Sequence, residues 1–400
     1  MDIPDKDILR YLNIYYQRLF PLKEIYSWLG YGDVITFSRR EFTFKLCNQL
    51  IIRNQAFTVC NQLKACLFRE FPIGIDVGAI YNISPSNKSL PKYCVERELV
   101  FDIDISDYDD IRTCCKGPDI CTKCWKYIVI ACKILNIYLE NDFGYHHILW
   151  IFSGRRGIHC WVCDKDARTL NQCVRSGILK FMCNEKINGL NKEMQLCGRK
   201  LDYYDRRLLA IIDPEFVPVC IVDQNLLDTK EGVDYFLPLL PNDKARTDVQ
   251  QLFSDHQSSM DRWNAFTSYH ENMISSHAEY WQGWEEFPDY LKLHYCSPRF
   301  DVNVTEGISH LLRCPFSVHS VTGRISVPFD LAEVELFDPT TTPTLKQLVT
   351  EITTLDKNLS SEEDKRLSKD QKRMKDYEII GFKKFIDIFQ VFLEKLINTH

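Results

Sequence analysis

The sequence predicts a mixed α+β fold, on three observations. Five short runs have strand character, alternating in period two or continuously apolar: 40–46, 73–81, 99–105, 148–152 and 158–162. Other stretches place apolar residues at helical spacing, notably 7–29 and 125–141. From about 185 to 290 strand-like text gives way to polar, helix-like stretches with isolated tryptophans (Trp263, Trp281, Trp284), which reads as a helical insertion.

Taken in order, Leu9, Leu12, Tyr15, Tyr16, Leu19 and Phe20 form the apolar side of the first helical segment. Arg40–Leu46 alternates as a strand, and Ile51–Arg53 pairs with it as a hairpin. Ile73–Tyr81 is a further strand whose glycines allow close backbone approach. A polar loop, 84–92, leads to the acidic strand Leu99–Ile105. Trp125–Asn141 reads as a helix, and Ile148–Phe152 and Ile158–Val162 as strands split by Ser153–Gly157. Strand-like text returns at Arg299–Val304 and Arg324–Val327. Residues 356–376 read as a charged linker. A closing helix carries Phe382, Phe385, Ile386, Phe389, Phe392, Leu393 and Leu396 on one face, expected to dock on the domain. The expected organisation is an α/β core over 1–185 with a cysteine module at 114–124, an insertion over 186–290, the rest of the core over 291–350, and the linker and helix over 351–400.

A chain of 400 residues with 45% hydrophobic and 12% aromatic residues can bury two or three cores. Its acidic start is no signal peptide, and no apolar run is long enough for a bilayer, so a soluble intracellular protein without a membrane partner is expected. The 17 cysteines, mostly scattered in apolar contexts, fit reduced buried thiols better than a disulfide framework. A net charge of −6 neither suggests nor excludes nucleic acid, because binding depends on local basic patches.

Four constellations carry chemistry. Asp102 and Asp104 stand two apart in the acidic strand, so they share a face about 7 Å apart. They suit either divalent metal for phosphoryl transfer or a solvated edge. Cys114, Cys115, Cys121 and Cys124 fall in one Gly-Pro loop and suit a structural, tetrahedral zinc, the alternative being a metal-free reduced cluster. Cys160 and Cys163 show a similar spacing, but on a strand they face opposite ways and cannot share an ion. Ser153-Gly154-Arg155-Arg156-Gly157-Ile158-His159 sets two guanidinium forks on a tight turn, suited to phosphate or simply to an exposed basic hairpin tip. Asp301, Arg313 and His319 offer a third carboxylate and two further basic groups.

These motifs, in this order, resemble the catalytic small subunit of archaeal and eukaryotic DNA primase, in its eukaryotic form. The matching text is Glu98–Asp104, Asp107–Asp110, the four cysteines with Trp125, Ser153–Asp164, Pro315–His319, Arg40–Phe44 and Gly323–Pro328. The resemblance implies a primase-type core with an inserted helical subdomain and a small zinc module. It implies nuclear synthesis of short RNA primers on a single-stranded DNA template from ribonucleoside triphosphates, as a heterodimer with a large subunit and within a DNA polymerase alpha complex. It assigns Mg2+ or Mn2+ to Asp102, Asp104 and Asp301, and Zn2+ to the cysteines. It assigns nucleotide contacts to Ser153, Gly154, Arg155, Arg156, Gly157, Ile158, His159, His310, Leu311, Leu312, Arg313 and His319. The family often carries Lys at the position of Arg313. Glu41 matches an acidic residue linked to activity, Arg53 a basic one nearby, and Asp76 a ribose contact. Two other readings stand beside this one: a non-catalytic, zinc-containing nucleic-acid-binding subunit, and a primase-polymerase that extends with deoxynucleotides.

Overall fold

A computed structural model describes residues 5–182, 200–358 and 369–398. By packing, the chain divides into two compact units. One comprises Met1–Asp102, Gly144–Ser176 and Asp301–His400; the other comprises Ile103–Phe143 and Gly177–Phe300. Residues 103–143, expected with the α/β core, therefore pack with the helices of the insertion.

The first unit holds two sheets. Strands β1 (Arg40–Lys45), β2 (Ile51–Gln55), β3 (Gly74–Tyr81) and β4 (Cys94–Glu96) run in the order β2-β1-β3-β4. Strands β5 (Leu99–Asp104), β6 (Ile148–Phe152) and β7 (Gly157–Val162) belong to the second sheet. The two-residue strand β8 (Leu312–Arg313) pairs with β3, and β9 (Val327–Pro328) completes the order β5-β7-β6-β9. On β1, Phe42 and Phe44 pack against Phe57, and Phe42 also against Phe37. Alternation along the strand turns Glu41, Thr43 and Lys45 to the opposite face. On β5, Leu99, Phe101 and Ile103 are buried while Asp102 and Asp104 are half-exposed, as the alternation predicts; Val100, on the aspartates' side, is buried as well.

Five local expectations are corrected. The helical segment 7–29 is two helices, Asp5–Arg18 and Leu22–Gly30, broken at Phe20-Pro21 because proline fixes φ and supplies no N–H. The second helix of the sequence reading starts earlier, at Thr122, and turns π-helical from Ile137. Arg299–Val304 is not a strand: Asp301 caps a short helix, Val302–Glu306, its Oδ1 accepting from the Asn303 amide at 3.0 Å. Of Arg324–Val327, only Val327 enters a strand. The expected linker 356–376 is in part helical, with helices Leu345–Asn358 and Lys369–Ile379, while 359–368 lie outside the described residues. The closing helix, Lys383–Asn398, does dock. Phe389 meets Trp28 edge-on at 5.9 Å and Phe316 at 5.4 Å, and the predicted apolar face is buried.

A buried ion cluster anchors the start of β5. Arg40 grips Glu98 with two hydrogen bonds of 2.8 Å, Arg97 adds one at 3.1 Å, and the Tyr31 hydroxyl donates at 2.6 Å. Despite complete burial, the two guanidiniums hold Glu98 well below the usual carboxylate range. Arg175 donates to the carbonyls of Arg97 and Glu98, which fixes the backbone leading into Asp102. Glu98→Gln leaves two buried guanidiniums without a counter-charge. It should cost about 3–5 kcal/mol in urea unfolding, and a loss under 1 kcal/mol would contradict the account.

The second unit is helical. Helix Tyr203–Phe216 carries Pro214 and passes into a π-helical turn, Val217–Asp223, where the missing N–H groups of Pro214 and Pro218 disturb the regular ladder. Its core is aromatic: Phe216 lies 4.8 Å from Trp263, and Phe266 packs against Phe236, Trp263 and Phe287. Trp263 and Trp281, isolated in sequence, are buried there.

Candidate active site and cysteine cluster

The acidic strand meets its third carboxylate through the backbone. The Asp301 amide donates to the Asp102 carbonyl at 3.0 Å, so the helix cap lies directly beside β5. Asp102 also faces β7: its Oδ1 is 3.8 Å from His159 Nε2. Two residues along the strand, Asp104 accepts from the amide and hydroxyl of Ser106 at 2.9 and 2.8 Å. Among the described residues these three carboxylates are not a group whose ligand atoms come together as the cysteines' do.

The arginine turn is built as the spacing predicts. The Ser153 amide donates to the Gly157 carbonyl at 2.9 Å, and Ile151 pairs with His159 across the hairpin. Gly154 has φ +87, and a Cβ there would lie 3.1 Å from His319 Cβ and 3.3 Å from the Arg324 carbonyl. Glycine is required both for its backbone conformation and for the close approach. Thr322 donates to the Gly154 carbonyl at 2.7 Å, tying the turn to the loop that carries His319.

That loop holds a strained residue. Phe316 has φ +62, rare for a bulky side chain. It is held there from outside: its carbonyl accepts from the Tyr15 hydroxyl at 2.7 Å, and its ring packs between Phe382 and Phe389. Beyond it, Ser317 Oγ accepts from the Ile75 amide at 2.8 Å, and His319 Nδ1 accepts from the Val321 amide at 3.2 Å. The bonded Nδ1 leaves the proton of the neutral ring on Nε2.

Positive charge crowds this region. Burial, with Arg313 and His319 nearby, pushes His159 down to about 3. Burial, with Arg313, Arg155, Lys45 and Arg156 nearby, pushes His319 down to about 3. Both rings are neutral near pH 7. Arg313, itself shifted down by burial, is opposed by the charges of Asp76 and Asp102. Its guanidinium donates to the Val318 carbonyl at 3.0 Å. His310 is shifted down by burial and by Arg97, against the pull of Asp301 and Asp76.

His319 has a pH signature. Its folded pKa is depressed, so its contribution to stability is present above the unfolded value of about 6.5 and is lost as pH falls toward 3. About 2 kcal/mol of that should be gone at pH 5. The pH dependence of urea unfolding should flatten in His319→Gln by that amount, and identical profiles would contradict the assignment.

Glu41 is buried on β1 and accepts from the Tyr81 hydroxyl at 2.8 Å. Gly78 makes room for it: a Cβ there would be 3.0 Å from Glu41 Oε2 and from Leu311 Cδ2. Asp76 is register partner to Arg313. Arg53 is exposed on the edge strand β2, and no described hydrogen bond or ion pair joins its side chain to these groups. Sequence reasoning missed Tyr81, Tyr15 and Lys45. Period-two counting from Glu41 reaches Lys45 on the same face, whereas nothing local marks Tyr15.

The four cysteines converge. Their sulfurs lie within 4.8 Å of one another, and they form the only such metal-capable group among the described residues. Cys121 Sγ is 3.5 Å from Cys114 Sγ and 3.9 Å from Cys124 Sγ. Tetrahedral zinc with bonds of about 2.3 Å needs sulfur separations of about 3.8 Å, so the set fits zinc. The Cys121 amide points at Cys124 Sγ at 3.3 Å, so the ligands also cap helix Thr122–Asn136. Arg112 braces the loop through the Asp119 and Gly117 carbonyls, each at 2.8 Å.

The family model for the DNA primase small subunit matches residues 101–331, a span holding both aspartates of β5, the cysteines, the arginine turn and His319. The chain belongs to the DNA primase small subunit family. The relative from Drosophila melanogaster, named DNA primase small subunit, is 39% identical, covering 96% of this chain and 90% of the relative. Those from Schizosaccharomyces pombe and Saccharomyces cerevisiae, of the same name, are 36% and 32% identical, covering 86% and 97% of this chain and 77% and 92% of the relatives. Membership supports a catalytic subunit for nucleotidyl transfer in DNA replication. No described helix is long and apolar enough to cross a membrane.

Proposed function

We propose that this chain makes short RNA primers on single-stranded DNA from ribonucleoside triphosphates, releasing pyrophosphate. The observation that carries the reading is the backbone bond placing Asp301 beside Asp102, with His159 Nε2 3.8 Å from the Asp102 carboxylate and Arg313 close enough to feel its charge. Carboxylates stand beside the guanidinium of Arg313 and two neutral imidazoles able to donate, with Arg155 and Arg156 acting on His319, a set suited to a metal-bound triphosphate.

Asp102, Asp104 and Asp301 offer hard oxygen donors suited to Mg2+ or Mn2+, which when bound would acidify the primer 3′-hydroxyl and neutralise the triphosphate. The chain's own residues do the rest. Arg155 and Arg156 present guanidinium forks to phosphate oxygens, and the Nε2–H of His319 donates to another. Arg313 and His159 stabilise charge that grows on the phosphates as the 3′-oxygen attacks the α-phosphorus in line, which is electrostatic work by preplaced groups. Asp76 contacts the ribose. Glu41, fixed by Tyr81, orients the template or a water. The zinc module is structural. The partners that follow are the template strand, a large primase subunit and a DNA polymerase alpha complex, and the location is nuclear.

The test is primer synthesis on single-stranded DNA, with ribonucleotides or deoxynucleotides and with Mg2+, Mn2+ or chelator. Metal-dependent short RNA products are expected. DNA-only products would favour a primase-polymerase, and template binding without synthesis would overturn the catalytic reading.

A further inference from the structure

Thr43 and Lys45 share the face of the first sheet that carries Glu41. Thr43 pairs with Asp76 between β1 and β3, and Asp76 pairs with Arg313 between β3 and β8. Directly opposed residues of antiparallel strands share a face, so Thr43, Asp76 and Arg313 form a row across three strands. Lys45, two residues beyond Thr43, returns to that face, and its Nζ lies 2.7 Å from Asp76 Oδ2. The Lys45 stem lies along β3 where a Cβ on Gly74 would come within 3.4 Å of Lys45 Cβ.

Asp76 is thus a buried carboxylate with a cation on each side. Lys45 holds it in an ion pair, and Arg313 stands opposite it in register. The ammonium of Lys45 is also among the charges that act on His319. Beside the pair, the Thr43 hydroxyl is buried and has no hydrogen-bond partner. A buried hydroxyl left unpaired is costly, and its place beside a carboxylate marks a position where a ligand hydroxyl completes the bonding.

We propose that Lys45 is a positioning residue for sugar recognition. It holds the Asp76 carboxylate beside the Thr43 hydroxyl and away from Arg313, so that the two together bond the vicinal 2′- and 3′-hydroxyls of a ribonucleoside triphosphate. Asp76 accepts, and Thr43 donates or accepts as the sugar requires. Without Lys45 the carboxylate closes on Arg313, and the sugar loses its acceptor. A 2′-deoxy sugar makes fewer of these bonds, so the loss falls mainly on the ribonucleotide. The inference rests on the nucleotide site proposed above.

The test compares KM and kcat for a ribonucleoside triphosphate and its 2′-deoxy counterpart in the full chain and in Lys45→Met, Lys45→Arg and Thr43→Val. Lys45→Met should raise KM for the ribonucleotide about tenfold, with a smaller change in kcat and a deoxynucleotide KM within about twofold. Lys45→Arg should restore most of the preference, and Thr43→Val should weaken it in the same sense. Equal changes for both sugars, or none, would overturn the role of Lys45 while leaving the nucleotide site standing. Absence of templated incorporation of either sugar by the unaltered chain would overturn the site itself, and the inference with it.

Discussion

Replacing Asp102 and Asp104 together with asparagine should abolish templated nucleotidyl transfer, by at least about a thousandfold, while leaving the fold intact. Both carboxylates are on the half-exposed face of β5, so neither is part of the buried side that Leu99, Phe101 and Ile103 supply. Asparagine keeps the volume, and at Asp104 it keeps an acceptor for the Ser106 amide and hydroxyl. What it removes is negative charge beside His159 and Arg313. Thermal unfolding should therefore match the parent within a few degrees, and triphosphate binding without metal should persist, because the arginine turn and His319 are untouched. Substantial primer synthesis by the double variant would refute the assignment of these carboxylates. A large stability loss would show instead that they serve the fold.

Much of this site was legible because strand chemistry is local. Alternation along β5 predicts which side Asp102 and Asp104 take, and Gly154 and Gly157 predict a turn tight enough to bring Arg155 and Arg156 together. Asp301 shows where local reading stops. Its neighbours Val302, Asn303 and Val304 alternate like a strand, yet the carboxylate caps a helix and the backbone still reaches β5. The alternation was real but too short to outweigh a side chain able to satisfy the Asn303 amide. Phe316 was not legible at all. A bulky residue at positive φ is tolerated only because Tyr15, Phe382 and Phe389 hold it, and those lie at opposite ends of the chain. Lys45 was legible in principle by counting from Glu41, but nothing in the sequence shows Asp76 across the sheet.

Removal of the zinc proposed for the four cysteines, by chelation or by Cys121→Ser, should unfold the helical unit at markedly lower temperature, with a loss of at least about 3 kcal/mol. The expectation follows from what the cysteine loop holds. Buried Gln224, just past the π-helical turn, accepts from the Thr113 amide at 2.8 Å and the Cys114 amide at 3.3 Å. Cys121 and Cys124 close the first turn of helix Thr122–Asn136, whose far side carries Tyr127 into the buried cluster with Cys220. If the four sulfurs part, the loop amides leave Gln224, a buried amide loses its donors, and the helix loses its N-terminal cap at the same time. The loss should thus appear as cooperative melting of helices distant in sequence rather than as fraying of one loop. Circular dichroism and hydrogen exchange across 203–216 and 287–296 read this directly, and metal content by elemental analysis should fall by one zinc per chain. Unchanged melting and unchanged metal content in Cys121→Ser would establish a metal-free thiol cluster, braced by Arg112 and Gln224 alone.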